Sequence, residues 1–319
     1  MSGSSFWKEF PKPIVALAPM EGYSDSAFRQ VCKSVNPSIV TYTEFTSADG
    51  LHHSPDRVRK KLQFKPTESP VIAQIFGKHP ETFVSAAKLI EDMGFSGIDL
   101  NMGCPAKKVV KSEHGVALRK NHDLAFKLIE SVVKATALPV SVKSRLGWDD
   151  SSDLEAFCLG AESAGASMIA IHARTYTQPY KVAAQWSPLY QLKDKLSIPL
   201  LGNGGLSGLA DGYSKIENLD GFLIGQAAMG NPWVFSESNP SPNFHEKIPI
   251  IKAHAQYLIE DKGEPVGCRE IRKHLVTYCK LIPNARQWRS ELVHVESLDA
   301  IHSILDRMAI TLSQSLPID

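Results

Sequence analysis

The feature that most constrains how this chain folds is a series of eight short apolar runs, rich in β-branched residues, that ends at residue 224. Helix-like stretches follow most of the runs; residues 123–135, for example, bring Leu124, Leu128 and Val132 to one face. Eight buried strands alternating with helices predict an α/β fold of the (β/α)8 type, the TIM barrel. The eight runs are residues 14–18, 39–43, 71–76, 97–100, 139–142, 168–171, 198–201 and 221–224.

The main alternative for such a pattern is an open, doubly wound sheet. That fold needs a strand, a G-x-G-x-x-G turn and a helix near its start, and the sequence contains no such unit there. The first run ends instead in Ala18-Pro19-Met20-Glu21-Gly22. The sequence therefore favours the barrel.

The alternating pattern stops near Phe235, and the next ten residues, 236–245, are rich in Ser, Asn and Pro, as linkers are. Beyond them, residues 249–258, 266–281 and 298–312 show helical periodicity. We therefore predict two domains, a barrel over residues 1–240 and an all-helical domain over residues 244–319.

Bulk charge does not indicate a nucleic-acid binder, because 35 Lys and Arg residues face 34 Asp and Glu residues. The charges are segregated, however: residues 252–289 hold eight basic and four acidic side chains, with Tyr278 and Trp288 among them. This composition suits a surface that follows RNA phosphates and stacks on bases. A solvated helix face is the alternative interpretation.

Several classes of protein are disfavoured by simple counts. No apolar run approaches the ~20 residues that a membrane-spanning helix needs, and residues 1–10 lack the apolar core of a signal peptide. Five cysteines without a C-x-x-C pair argue against a disulfide framework and against a cysteine-based zinc site. We expect a cytoplasmic protein with reduced thiols, no bound metal and no membrane association.

Active sites of TIM barrels lie at the carboxyl ends of the strands, and Cys104 follows the fourth run directly. Gly103 and Pro105 beside it predict a bend that turns the thiol toward the site. A thiol with an ordinary pKa of ~8.5 is mostly protonated at pH 7, so Cys104 suits a general acid. A nucleophilic role remains open on the residues alone.

Two other strand ends carry ionisable side chains. Lys143 directly follows the fifth run, where a buried ammonium needs an anionic partner, although a lysine in solvent at the rim is the alternative. His172 directly follows the sixth run and suits either a ligand contact or a buried structural role.

Glycine-rich turns follow the last two runs, at residues 202–205 and 225–228. Glycine lets backbone N–H groups approach phosphate oxygens, and this is the position of the phosphate site in many TIM barrels. The turns therefore predict a phosphorylated ligand or cofactor. The alternative is that the glycines only form tight turns.

Taken together, these motifs resemble those of the tRNA-dihydrouridine synthases, flavin-dependent enzymes that reduce uridine in tRNA. The matches keep the order and spacing of the family and cover the barrel, and Arg272-Lys273-His274 resembles part of the family's helical tRNA-binding domain. The matching segments are APMEGYSD from Ala18, AQIFG from Ala73, GIDLNMGCP from Gly97, PVSVKSRLGW from Pro139, IHART from Ile171, GNGG from Gly202 and GQAAMGNPW from Gly225.

The resemblance implies bound FMN that is reduced by NADPH, hydride transfer from flavin N5 to uracil C6, and proton transfer from Cys104 to C5. It further implies a monomer with tRNA as its partner, Asn101 and Arg145 at the target uracil, and Arg272, Lys273 and Arg286 on the tRNA. The residues that it assigns to the cofactor are Ala18, Pro19, Met20, Gln74, Lys143, His172, Asn203, Gly204, Gly205, Gly225 and Gln226.

This sequence departs from the family pattern at three positions. Ala173 replaces a glycine, Gly205 replaces an acidic residue, and Gln226 replaces an arginine, which removes a positive charge beside the expected phosphate. We therefore expect FMN to be held less tightly than is usual in the family.

Two other functions fit parts of the pattern. One is an FMN barrel that acts on a free small molecule such as dihydroorotate or a dihydropyrimidine, but such an enzyme has no need of the basic helical region. The other is a non-catalytic tRNA-binding factor, which has no need of Cys104, Lys143 and two phosphate turns.

Overall fold

A closed barrel of parallel strands forms the centre of the first part of the chain in a computed structural model that describes residues 6–280 and 282–314. The eight predicted runs coincide with eight of the strands found in that part of the chain. The strands are β1 (Ile14–Leu17), β2 (Val40–Tyr42), β3 (Thr46–Ser47), β4 (Val71–Phe76), β5 (Gly97–Met102), β6 (Val140–Arg145), β7 (Met168–His172), β8 (Leu200–Asn203) and β9 (Gly221–Ile224).

The barrel closes through pairing between β2 and β4. The hydrogen-bonded order is β2-β1-β9-β8-β7-β6-β5-β4, every pair is parallel, and β2 also pairs with β4. The two-residue strand β3 pairs with β4 further along the same edge, so β2 and β3 together occupy one position in the barrel. The predicted (β/α)8 barrel is confirmed.

Helices alternate with the strands of the barrel and continue beyond it. The predicted helix over residues 123–135 begins one residue earlier, with the side chain of Asn121 accepting a hydrogen bond from the backbone of Leu124 at its start. The α-helices are α1 (Phe6–Glu9), α2 (Ser26–Val35), α3 (Ala48–His53), α4 (Pro55–Val58), α5 (Pro80–Asp92), α6 (Lys107–Lys111), α7 (His122–Ala135), α8 (Leu154–Ser163), α9 (Ser187–Lys193), α10 (Leu209–Ser214), α11 (Phe244–Lys262), α12 (Glu264–Tyr278), α13 (Ala285–Leu292) and α14 (Leu298–Gln314).

The barrel interior changes character along its axis. An apolar cluster within the barrel includes Ala16, Tyr42 and Ala170, although the polar Asp99 is also fully buried on β5. Side chains alternate between the two faces of a strand, so the register of the strands puts Lys143, which pairs with Ala170, on the same inward face. The carboxyl ends of the strands thus direct polar groups into the barrel above an apolar floor.

The chain divides into two compact units. The first contains Met1–Ser24 and Ser38–Gly225, and the second contains Asp25–Pro37 and Gln226–Asp319. Helix α2 therefore belongs with α11–α14, although it lies near the start of the sequence. The periodicity of the sequence did not indicate that α2 belongs to the second unit. The two predicted domains, residues 1–240 and 244–319, stay a prediction about independent folding.

The second unit has its own core. Apolar side chains of α11, α12, α13 and α14 pack together, and the ring of Phe28 on α2 lies 5.6 Å from that of His254 and 5.4 Å from that of His274. Helix α13 was not predicted, and Leu281, the end of one predicted helix, lies outside the described residues. Within the described part of the chain, no helix has the length and hydropathy that crossing a membrane requires.

The second unit is closely packed around Gly230. This glycine has φ +66°, and a Cβ there would lie 2.6 Å from the Cβ of Thr277. Gly263 has a similar φ of +77° but no atom within 4 Å of the corresponding position. We expect Gly230→Ala to cost about 1–3 kcal/mol more unfolding free energy than Gly263→Ala, because only the first adds overlap to backbone strain. Chemical denaturation of both variants measures the difference, and equal losses would contradict this account.

Candidate active site

The register of β5–β8 gathers the predicted site residues at one end of the barrel. Asn101 pairs with Lys143 across β5 and β6, Arg145 pairs with His172 across β6 and β7, and His172 pairs with Asn203 across β7 and β8. These five residues, which come from four strands, are therefore neighbours.

Cys104 lies on a loop whose backbone is hydrogen-bonded to the side chain of Asn101. The side-chain oxygen of Asn101 accepts hydrogen bonds from the backbone N–H of Cys104 at 2.9 Å and of Gly103 at 3.2 Å. Burial raises the pKa of the Cys104 thiol, and the nearby Arg145 and Lys143 only partly oppose that effect. The thiol therefore keeps its proton at neutral pH, which suits a general acid and disfavours a thiolate nucleophile.

The other four cysteines do not compete for this role. Cys32, Cys158, Cys268 and Cys279 are buried, and Cys104 is partly exposed. These four therefore serve as small apolar core residues.

Gln74 joins Asn101 to a carboxylate that the sequence analysis did not single out. The Gln74 side-chain oxygen accepts a hydrogen bond from the amide of Asn101 at 2.9 Å, and its own amide donates to Asp99 at 2.7 Å. Ser141 donates a second hydrogen bond to Asp99 at 2.6 Å. Both ends of the Gln74 amide are thus already engaged within the protein.

Lys143 lies near the carboxyl end of β6 and donates to the side-chain oxygen of Asn203 at 3.0 Å. The amide of Asn203 in turn donates to the backbone oxygen of Leu223 at 2.8 Å, which fixes its orientation. Burial lowers the pKa of Lys143 to about 8, and Arg145 adds to that effect. A neutral amide oxygen compensates an ammonium poorly, so Lys143 remains suited to an anionic ligand.

Arg145 is held on three sides. Its guanidinium donates to the backbone oxygens of Gly103 at 2.9 Å and Thr175 at 3.1 Å, and to the hydroxyl of Tyr180 at 3.1 Å. Tyr180 is 52% exposed, and sequence reasoning missed it. The only sequence signal was an aromatic residue in the loop that follows the IHART segment.

The turn after β8 approaches the barrel closely because it lacks side chains. Gly204 has φ +112° and Gly205 has φ +72°, and a Cβ on Gly204 would lie 3.0 Å from the Nε2 atom of His172. The guanidinium of Arg174 lies beside this turn, with Nη2 3.8 Å from the position of a Cβ on Gly205. Arg174 thus supplies a positive charge near the turn.

Positive charge is in excess at this end of the barrel. Burial lowers the pKa of His172 well below its usual value, and the charges of Lys143, Arg145 and Arg174 lower it further, so His172 is neutral. Among the residues that the structure describes, these three cations form no ion pair within 4 Å. The geometry therefore favours an anionic ligand.

The ends of β1 and β9 complete the rim of the first unit. The backbone N–H of Met20 donates to the Ser24 hydroxyl at 2.9 Å. A Cβ on Gly225 would lie 3.5 Å from the Cβ of Ala18 and 3.6 Å from the sulfur of Met20. Pro19 lies between Ala18 and Met20 in the sequence, so the predicted turn at 18–20 and the turn at Gly225 are adjacent.

The remaining predicted residues lie in the second unit. Gln226 begins a short 3-10 helix, Gln226–Ala228, and Arg286 is exposed on α13. Arg272 on α12 donates twice to the backbone oxygen of Val295, at 3.1 and 2.6 Å, whereas Lys273 beside it is half-buried. Arg272 therefore has a structural bond as well as any role on tRNA.

Comparison with known proteins decides the family. The family model described as dihydrouridine synthase matches residues 16–314. The chain belongs to this family. A probable tRNA-dihydrouridine synthase of Rickettsia bellii is 33% identical over 86% of this chain and 88% of its own length, and one of Rhodobacter capsulatus is 36% identical over 84% and 86%.

Membership makes this dihydrouridine synthase an oxidoreductase that acts on uridine in tRNA. A solved structure of 6-hydroxypseudooxynicotine amine oxidase from Pseudomonas geniculata is similar in fold alone. Its TM-score is 0.51 at 13% identity, over 82% of this chain and 50% of that chain. Within the described residues of the synthase, no group of three or more His, Cys, Asp or Glu side chains could hold a metal ion.

Proposed function

We propose that this enzyme reduces specific uridines of tRNA to 5,6-dihydrouridine with FMN as its cofactor and NADPH as the reductant. The observation that carries the proposal is the excess of positive charge from Lys143, Arg145 and Arg174 around His172, together with the protonated thiol of Cys104 near Lys143 and Arg145. A phosphorylated cofactor and an RNA strand are both anions, and a uracil that gains hydride at one carbon needs a proton at the next.

The residues present fit FMN. The Gly204–Gly205 turn has the positive φ angles and lacks the side chains that would fill a phosphate cradle, and Arg174 lies next to it. Asn203, Gly225 and Gln226 would complete the phosphate end. The turn at Ala18, Pro19 and Met20, with Gln74, Lys143 and His172, would hold the ring system.

Bound FMN would supply the hydride from N5 to uracil C6, and Cys104 would donate the proton to C5. Burial keeps the thiol protonated, and the Asn101 bond to its backbone holds the loop in place. Asn101 retains one amide N–H beyond the bond to Gln74, and Arg145 retains two N–H groups beyond its three bonds. These remaining donors would orient the carbonyl oxygens of the target uracil.

The second unit would bind the tRNA backbone. A uracil inside folded tRNA has to be splayed out before it can enter a barrel, which costs a few kcal/mol. Contacts between phosphates and exposed basic side chains, such as Arg286, would offset that cost. Lys273 and the free N–H groups of Arg272 would add to them.

Cys104→Ala separates the two half-reactions. NADPH should still reduce the flavin of the variant, because the thiol acts only on the uracil. Dihydrouridine formation in tRNA should fall by ~10²–10⁴, the usual contribution of a general acid. Stopped-flow absorbance measures the first step and sequencing of dihydrouridine sites measures the second, with Cys158→Ala as a buried-cysteine control. Wild-type dihydrouridine formation in the Cys104 variant would refute the role.

Lys143→Met tests the cofactor site through pH. The ammonium of Lys143 loses its proton near pH 8, so the affinity of the flavin-free protein for FMN should weaken as pH rises through 8. The variant should bind FMN about 10–100-fold more weakly at pH 7, as expected for a lost charge-assisted bond, and lose that pH dependence. Fluorescence titration measures both, and the exposed Lys134→Met is the control. An unchanged pH dependence in the Lys143 variant would place its charge away from FMN.

Arg286→Gln tests the second unit on tRNA. The logarithm of affinity should fall linearly with the logarithm of salt concentration, with a slope of about −0.7 to −0.9 per phosphate contact. In the variant this slope should be less steep by the amount that one phosphate contact contributes, and NADPH oxidation should be unchanged. Lys134→Gln on the barrel should alter neither the slope nor NADPH oxidation. Filter binding at several salt concentrations measures the slopes. A salt-independent affinity of the wild type would exclude phosphate contacts.

A further inference from the structure

Asp99 is a buried carboxyl group that the proposed mechanism does not use. Its side chain is fully buried on β5 and forms no ion pair within 4 Å among the described residues. Two hydrogen bonds reach it, from the amide of Gln74 at 2.7 Å and from the hydroxyl of Ser141 at 2.6 Å. A carboxyl group buried at such cost calls for a reason beyond packing.

The charge of Asp99 fixes the orientation of two amide groups in series. An ionised carboxylate only accepts hydrogen bonds, so the Gln74 amide must turn its N–H toward Asp99 and its oxygen toward Asn101. Asn101 must then donate to Gln74 and present its own oxygen to the backbone N–H of Cys104. The opposite orientation of either amide would bring donor against donor.

We propose that Asp99 is a positioning residue for Cys104, acting through Gln74 and Asn101 to hold the thiol where it delivers its proton. The proposal rests on the role given to Cys104 above. It assigns no direct contact with tRNA or cofactor to Asp99.

Protonation of Asp99 would allow the side-chain amides of Gln74 and Asn101 to change orientation. A neutral carboxylic acid can donate as well as accept, so Gln74 could then turn its oxygen toward Asp99. Burial raises the pKa of Asp99 to about 6, while the bonds from Ser141 and Gln74 and the charge of Lys143 lower it. Tyr42 also faces this carboxyl group, but its own pKa is raised well above the usual value, so it stays neutral.

The expected consequence is a loss of proton delivery as pH falls through about 6. The ordered arrangement exists when Asp99 is ionised, above that pH, and is lost when the group gains its proton. The thiol of Cys104 is protonated throughout this range, so its own titration does not produce the effect.

The experiment compares three variants of the full-length enzyme loaded with FMN. Asp99→Asn removes the titration, Ser141→Ala removes a bond that lowers the pKa of Asp99, and Ser144→Ala is a matched control on the same strand. The Ser144 hydroxyl donates to the backbone oxygen of Met102 at 3.0 Å and does not reach Asp99. Single-turnover dihydrouridine formation by the pre-reduced enzyme is measured from pH 5 to 8.

The wild-type rate should decline below about pH 6, and the Asp99→Asn rate should be about tenfold lower at pH 7.5 with no such decline. The Ser141→Ala decline should move to higher pH, and the Ser144→Ala profile should match the wild type. The tRNA concentration that gives half of the maximal single-turnover rate should change less than the rate itself, because the phosphate contacts proposed for the second unit remain. Wild-type profiles for both Asp99→Asn and Ser141→Ala, or equal shifts for Ser141→Ala and Ser144→Ala, would overturn the proposal.

A second readout does not depend on catalysis. The alkylation rate of Cys104 by iodoacetamide, followed by mass spectrometry without tRNA, should deviate from a simple thiolate titration near pH 6 in the wild type and not in Asp99→Asn. If Cys104→Ala retained full activity while this deviation persisted, the proton-donor role would fail and the coupling of Asp99 to the thiol would stand. If Asp99→Asn did not fold, the Ser141→Ala shift would decide alone, since its absence overturns the proposal.

Discussion

The register of the closed parallel barrel is the constraint on which the rest of the site depends. In a parallel barrel alternate side chains point inward, and the pairings of β4–β6 place Gln74 beside Asp99, Asp99 beside Ser141, and Asn101 beside Lys143. A shift of one residue in any strand would turn its polar side chains outward and its apolar ones inward. The hydrogen bonds of the site therefore follow from the strand pairings that also build the core.

Positive charge exceeds negative charge inside this end of the barrel. Three cations, Lys143, Arg145 and Arg174, lie near His172. The buried carboxyl group of Asp99 is affected by the charge of Lys143, but the two form no ion pair among the described residues. Burial raises the pKa of Asp99 and lowers that of Lys143, so each group is more easily neutralised than in water. The proposed binding of FMN and tRNA would supply the missing negative charge.

The second unit illustrates how sequence position and spatial position can differ. Helix α2 follows β1, where a TIM barrel has its first helix, but its contacts place it with α11–α14. Phe28 of α2 packs against His254 and His274, so the helix contributes to the core of that unit. Its amphipathic pattern would have looked the same had it packed elsewhere.

The sequence by itself determined the barrel, because eight apolar runs with intervening helices leave few other ways to bury those strands. It also identified Cys104, Lys143, His172 and the glycine turns, since strand ends and motifs are local features. Only the tertiary structure showed Asp99, Tyr180 and the contribution of Arg174. Their positions depend on which atoms of neighbouring strands and loops meet, and a single polar residue within an apolar run does not reveal its partner. The same reason applies to α2. An apolar face predicts that a helix is buried, but only the tertiary structure shows which other helices it packs against.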